Sequence, residues 1–367
     1  MRVVILSKAL LVGAYQRKAE EIAKLPGVEL TVLVPPRWRD VGRFTRLERA
    51  FTRGYELKAI PLAFDGHFHY HFYPTLGREL ARLRPDVLHV DEEPYNLATF
   101  LAYLQGGRVG AKRLFFTWQN IHRRLPPPVS WMESWVLRHS DAAIAGSADA
   151  ADVLRRKGYR GPAPAIPQFG VDPEIFRPAE ARPARPFTFG YYGRLIESKG
   201  LLDLLDACRG LDGDWRLLLV GEGPLEAELR AHIPAIGLAD RVELRPPVPS
   251  TAVPELLHEM DAVVLASRTT PSWKEQFGRT LPESMASGVV PIGSSSGEIP
   301  QVIGEAGLVF TEGDVEALRG AMSRLVGDPG LRDSLAVKAR QRVLDTYTQE
   351  QVARQTVQLY RSLIIPQ

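Results

Sequence analysis

The feature that most limits what this chain can fold into is an alternation of short apolar runs with helical stretches, met twice. In the first half the runs are Val3–Leu6, Leu30–Val34, Val87–Val90, Leu114–Thr117 and Ala142–Ala145, with helical stretches such as Ala14–Lys24 and Leu76–Arg84 between them. Short, wholly apolar runs of this kind fit the strands of a parallel sheet covered on both faces. The pattern then breaks across Pro162 to Pro186, which carries seven prolines and reads as an interdomain connection. It restarts at Phe187–Tyr191 and continues through Arg216–Val220, Val242–Leu244, Ala262–Ala266, Val289–Ile292 and Leu308–Phe310. Helices are expected at Gly200–Arg209, Pro224–His232, Pro254–Glu259, Val315–Val326 and Leu331–Thr346, with a last one over Gln349–Leu363. The expected fold class is α/β, with two Rossmann-like domains over residues 1–170 and 187–345, a linker at 171–186 and a terminal helix within 349–367.

Length agrees, because 367 residues exceed what one core usually fills. A net charge of +3 gives no argument for nucleic acid. The lone cysteine, Cys208, excludes a disulfide framework within the chain and a four-cysteine zinc site. The apolar run at the amino end is too short for a signal peptide, and no run reaches the ~18 residues that a spanning helix needs. A cytoplasmic setting is expected, with the inner face of the membrane as the alternative.

Glu275 and Glu283 stand with seven residues between them, in a stretch that follows an apolar run and leads into a short helical run. Carboxylates accept hydrogen bonds from sugar and ribose hydroxyls, and a helix start offers backbone N–H groups to phosphate. The same residues also read structurally: Thr280 and Glu283 form a capping-box pattern with Pro282 in the first turn and Gly288 at the end. Further back, Gly193-Arg194 and Lys199-Gly200 follow a strand, where open sheets bind ligands. Two cations there can offset a diphosphate. Gly221-Glu222-Gly223-Pro224 is a tight strand-to-helix turn, too short of glycines for a dinucleotide fingerprint. Asp212-Gly213-Asp214 is better explained as a turn than as a metal motif.

In order and spacing the second half resembles the nucleotide-sugar domain of retaining family 4 glycosyltransferases with the GT-B fold. The matching segments are Gly193-Arg194 with Lys199-Gly200, Gly221 to Pro224, Arg241 to Val248, Glu275 to Pro291 and Gly297 to Ile303. The resemblance implies that Arg194 and Lys199 hold the donor diphosphate and that Glu283 binds the ribose. It implies that Glu275 contacts the donor sugar and that the backbone of Phe277, Gly278, Arg279 and Thr280 contacts sugar and phosphate. The base would lie near Gly221 and Val248. The terminal helix would pack back on the first domain, and the two sheets would face an interdomain cleft.

The first half departs from that family. The glycine pair expected after the first strand is reduced to Gly13, which is left as the phosphate contact. Where the family often carries histidine, this chain has Gln119, within Thr117-Trp118-Gln119-Asn120. Glutamine can hold a hydroxyl but cannot act as a general base. Gln119, Asn120, Glu92 and Glu93 are the expected acceptor contacts. His67, His69 and His71 would share one face if extended, a weak metal pattern against a packed aromatic face. Residues 37–58 read as an amphipathic helix, with Val41, Phe44, Leu47 and Phe51 on one face and arginines on the other. It would meet an anionic membrane surface or a lipid-linked acceptor.

The expected activity is retaining transfer from a nucleoside diphosphate sugar to the hydroxyl of a sugar or glycolipid, in polysaccharide or glycolipid synthesis. No metal or other cofactor is expected. The alternatives are a nucleotide-sugar-binding scaffold, motivated by the Gln119 departure, and a sugar-nucleotide epimerase.

Overall fold

A computed structural model describes residues 1–40, 43–180 and 185–364. The chain divides into two compact units, one of residues 1–170 with the helix that begins at Gln349, the other of residues 171–348.

The first unit holds β1 (Arg2–Leu6), α1 (Arg17–Ala23), β2 (Glu29–Val34), β3 (Arg37–Asp40), β4 (Arg43–Arg46), β5 (Glu56–Ala59), α2 (Leu76–Leu83), β6 (Val87–Val90), α3 (Leu97–Arg108), β7 (Lys112–Thr117), α4 (Val129–Arg138), β8 (Ala142–Ala145) and α5 (Ala148–Arg156). The second holds β9 (Phe187–Tyr192), α6 (Leu201–Cys208), β10 (Trp215–Val220), α7 (Glu226–Ala235), β11 (Val242–Arg245), α8 (Val253–His258), β12 (Ala262–Leu265), α9 (Thr280–Ala286), β13 (Val290–Ser294), α10 (Ile299–Ile303), β14 (Leu308–Phe310), α11 (Val315–Gly327) and α12 (Pro329–Thr346); α13 (Gln349–Ile364) returns to the first unit.

Each unit is built on a parallel six-stranded sheet, ordered β5-β2-β1-β6-β7-β8 and β11-β10-β9-β12-β13-β14. Residues of β6, β8 and β12 are buried throughout, the continuous apolar pattern of strands covered by helices on both faces. Helix starts follow local chemistry. Ser147 caps α5 through the Ala150 N–H at 3.2 Å, and Asp328 caps α12 through Leu331 at 2.9 Å with Pro329 in the first turn. Helix α13 buries Val352, Ala353, Thr356, Val357 and Tyr360, one face at helical spacing, in the core under β1 and β2. Each large apolar side chain so buried contributes roughly 1.5–3 kcal/mol. Tyr360 also shares a 2.6 Å hydrogen bond with His89.

Both sheets reverse direction of growth beside their first strand, between β1 and β6 and between β9 and β12. Such switch points, at the carboxyl ends of the strands, are where open α/β sheets bind ligands.

Two sequence expectations fail here. Of residues 37–58, those at 37–40 and 43–46 form the antiparallel pair β3–β4 and those from 56 enter strand β5, and none of the described ones is helical. A spacing of three or four fits a helix over so short a window, but tertiary contacts decide otherwise. Asp65 takes the Arg39 N–H at 2.8 Å and the Arg37 guanidinium at 3.0 Å, and Trp38 packs edge-on against His71. Val41 lies outside the described residues. The histidine run 67–71 is a turn, with His71 wholly buried and Phe68 and Tyr70 exposed. No group of three or more metal-ligating side chains is arranged for a metal among the described residues.

Candidate functional site

At the switch point of the second sheet, Lys199 follows β9 and Glu275 follows β12. The Lys199 ammonium donates to Glu275 Oε2 at 2.5 Å, and the Ser267 hydroxyl donates to the same oxygen at 2.8 Å. Lys199 also lies 4.9 Å from the centre of the Trp273 ring. Both charged side chains are largely buried, 17% and 9% exposed. Arg194 lies on the same β9 loop and is exposed, with its carbonyl accepting from the Tyr191 hydroxyl at 2.7 Å.

Backbone geometry fixes that loop. Gly200 has φ +64, and a Cβ there would fall 2.0 Å from the Ala266 carbonyl oxygen. A Cβ on Gly221 would fall 1.9 Å from the Gly193 carbonyl oxygen, because the two strand-end loops are zipped by Gly193 N–H to Val220 O at 3.0 Å and Leu195 N–H to Glu222 O at 2.9 Å. The glycines at 221 and 223 are therefore required by loop-on-loop packing.

Glu283 is buried on α9. Tyr192 donates to its Oε2 at 3.0 Å and Arg279 to its Oε1 at 2.9 Å. The capping-box expectation fails: Arg279, not Thr280, is the N-cap, and the buried Thr280 hydroxyl has no partner. The chain turns at Gly278, φ +69, whose carbonyl accepts from Leu281, so the helix starts one residue early. Phe277 is buried edge-on to Tyr347. Val248 packs beside the cluster that contains Tyr192 and Val220.

The first unit repeats the arrangement. Lys8 follows β1, Glu92 follows β6, and the two are paired. Lys8 sits 4.4 Å from the Phe68 ring centre and 5.3 Å from that of Trp38. Glu92 also accepts from Asn96 at 3.2 Å and faces His71 Nε2 at 3.3 Å. Burial would raise the Glu92 carboxyl, but Lys8 and His71 outweigh it and hold it at about 2. One position earlier, Asp91 accepts from Ser7 at 2.6 Å and from Gln168 at 3.0 Å.

The expected acceptor residues prove to be internally engaged. The Glu92 side chain is fully buried. Glu93 accepts from the Thr117 hydroxyl at 2.6 Å and the Trp118 N–H at 2.8 Å. Gln119 accepts from Lys157 at 2.7 Å, and Asn120 is buried. Gly13, expected to meet phosphate, already donates its N–H to the Glu48 carboxylate at 2.6 Å. Lys8, Tyr192, Ser267 and Trp273 escaped the sequence reading. The first three lie at or just beyond strand ends, a signal that could have found them.

Burial pushes the Glu93 carboxyl up to about 7, against the pull of Thr117 and Trp118. Between its ordinary value of 4.5 and about 7, the folded chain keeps a proton that the unfolded chain has released. Stability contributed by that proton is lost as pH rises through this window. Glu93→Gln cannot ionise, so its stability relative to wild type is expected to climb from about pH 5 to about pH 7 and then level off. Urea unfolding across pH measures this; a pH-independent difference would refute it.

Two family models cover most of the chain. "Glycosyl transferases group 1" matches residues 172–342, and "Glycosyltransferase Family 4" matches residues 17–175. The sequence is 29% identical to a putative colanic acid biosynthesis glycosyltransferase, WcaL, of Salmonella typhimurium, over 54% of this chain and 51% of the relative. The chain thus aligns to about half of that relative's length. It is 28% identical to glycogen synthase of Mycobacterium tuberculosis, over 84% of this chain and 77% of that one. Its fold is similar to Anabaena HepE, solved in complex with UDP, with TM-score 0.72 at 17% identity over 99% of this chain and 100% of the other. Two Rossmann-like units matched in this way define a glycosyltransferase of the GT-B fold, and the chain belongs to that group.

Proposed function

We propose that the chain moves a sugar, with retention, from a nucleoside diphosphate sugar to the hydroxyl of a sugar or glycolipid acceptor, in polysaccharide or glycolipid synthesis. The observation that carries this reading is the buried Lys199–Glu275 pair at the switch point of the second sheet. HepE, which shares the fold, was solved with UDP and with UDP-glucose, which supports a nucleotide-sugar donor.

On this reading Lys199 and Arg194 offset the donor diphosphate without a bound metal. Glu283, preset by Tyr192, accepts from ribose hydroxyls. Glu275 holds a hydroxyl of the donor sugar, and the backbone from Phe277 to Thr280 lies along sugar and phosphate. The base lies near Gly221 and Val248. With Gln119 in place of a basic histidine, the departing diphosphate takes the acceptor proton, and the protein positions groups and stabilises charge. Acceptor contacts fall on the first unit around Lys8 and its aromatic neighbours.

The test is incubation with UDP-, GDP- and ADP-sugars and candidate acceptors, reading nucleoside diphosphate release and the anomer of the product by NMR. An inverted product would overturn retention. Donor binding without turnover would favour the scaffold, and donor isomerisation without acceptor the epimerase.

The first unit also favours an anionic membrane surface, now through the β3–β4 strand pair and a loop rather than a helix. Phe44, Phe64, Phe68 and Tyr70 are each about half exposed, and Arg37 and Arg39 lie 5.0 and 5.8 Å from the Phe44 ring. Exposed rings among arginines suit the headgroup boundary of anionic lipid. No described helix is long and apolar enough to cross a membrane. Sedimentation with phosphatidylglycerol vesicles should exceed that with phosphatidylcholine alone, and Phe44→Ala with Phe64→Ala should abolish the excess. Equal binding to both vesicle types would remove the idea.

A further inference from the structure

We infer that Trp273 is a positioning residue for the donor diphosphate, acting through Lys199; this rests on the donor reading above. The Lys199 ammonium is held from two sides, by Glu275 Oε2 at 2.5 Å and by the Trp273 ring at 4.9 Å. The two supports differ in kind. A carboxylate takes an N–H donor and so competes with a phosphate oxygen for it. An aromatic face attracts the cation through its quadrupole and takes no lone-pair direction. The ring therefore holds the charge in place while the remaining N–H donors stay available to an anion.

The segment that presents the ring is braced for the task. Thr270 and Trp273 exchange backbone hydrogen bonds at 2.7 and 3.3 Å across a two-residue turn, and the Thr270 hydroxyl takes the Trp273 N–H at 3.0 Å. Thr269 is fixed to Glu312 at 2.8 Å and to Ser296 at 3.0 Å. Arg268 grips Asp203 with two hydrogen bonds of 2.5 Å. The ring is thus carried by a tab tied down at Arg268, Thr269 and Thr270. The same combination recurs in the other unit, where Lys8 is paired with Glu92 and faced by Phe68 at 4.4 Å. A lysine at the switch point, paired with glutamate and faced by a ring, is in this chain a repeated solution and not a single accident of packing.

The experiment is a double-mutant cycle read by calorimetric titration of the intact chain with UDP, and with GDP and ADP in parallel. W273L should weaken binding of the preferred diphosphate about fivefold, and W273F should restore most of it. In the K199M background W273L should change nothing further. A W273L effect of equal size in both backgrounds means that the ring acts on the ligand or the loop directly, and overturns the inference. No W273L effect while K199M weakens binding also overturns it, and leaves the donor reading intact. If K199M alone leaves binding unchanged, the donor reading falls and this inference with it. Thermal melting of each variant separates loss of fold from loss of binding.

Discussion

Lys199→Met and Glu275→Gln should each lower sugar transfer by about 10²–10³-fold, the range seen when one preorganised charge-stabilising group is removed. The two losses should divide differently. Without Lys199 the donor diphosphate loses a cation in a poorly hydrated setting, so its affinity falls along with turnover. Without the Glu275 charge the donor sugar loses a directed acceptor, so kcat should fall more than KM rises. Breaking the pair also strands the other charge. The Glu275 carboxylate then keeps the Ser267 hydroxyl at 2.8 Å as partial compensation. Loss of a buried partner can cost about 3–5 kcal/mol, but these side chains retain some exposure, so the smaller end applies. Steady-state kinetics beside circular dichroism and melting measure both effects. Wild-type turnover in either folded variant would refute the assignment.

Gly200→Ala should be among the most damaging conservative changes in the second unit. A non-glycine residue at φ +64 costs about 1–2 kcal/mol. The added Cβ must also displace the Ala266 carbonyl 2.0 Å away, which lies on the turn leading from β12 towards Glu275. The expected total is roughly 3 kcal/mol, seen as a drop of about 5–10 °C in the melting of this unit. Gly210→Ala is the control. Its φ is +83, and nothing lies within 4 Å of the added Cβ. It should show the conformational cost alone, so the difference between the variants measures the close approach. Equal shifts would show that the Gly200 turn yields freely. Lys199 precedes this glycine, so Gly200→Ala should also weaken nucleoside diphosphate binding, whereas Gly210→Ala should not.

Much of the second unit was legible because parallel strands buried on both faces must be apolar without interruption. Runs such as 262–265 therefore stand out against any turn. Glu275, Glu283, Lys199 and Arg194 were legible for a related reason: in such sheets, ligand groups follow strand ends. The first unit was harder. Its paired strands at 37–40 and 43–46 carry an arginine-rich pattern that fits a short helix as well as a strand, and Asp65 and His71, distant in sequence, decide between them. Thr280 reads as a cap, yet Tyr192 and Arg279 draw Glu283 away from the helix start. Glu92 and Glu93 were legible as carboxylates at a strand end, but their partners Lys8, Thr117 and Trp118 were not, because these come from the ends of other strands.

By itself the sequence determined two α/β units and the strand ends that carry their charged groups, because burial forces periodicity and periodicity is written residue by residue. Tertiary structure alone decided which of those charges are paired inward and which keep a face open. Pairing depends on where the neighbouring strand's end falls in space, and the sequence separation of 76 between Lys199 and Glu275 records nothing of that distance.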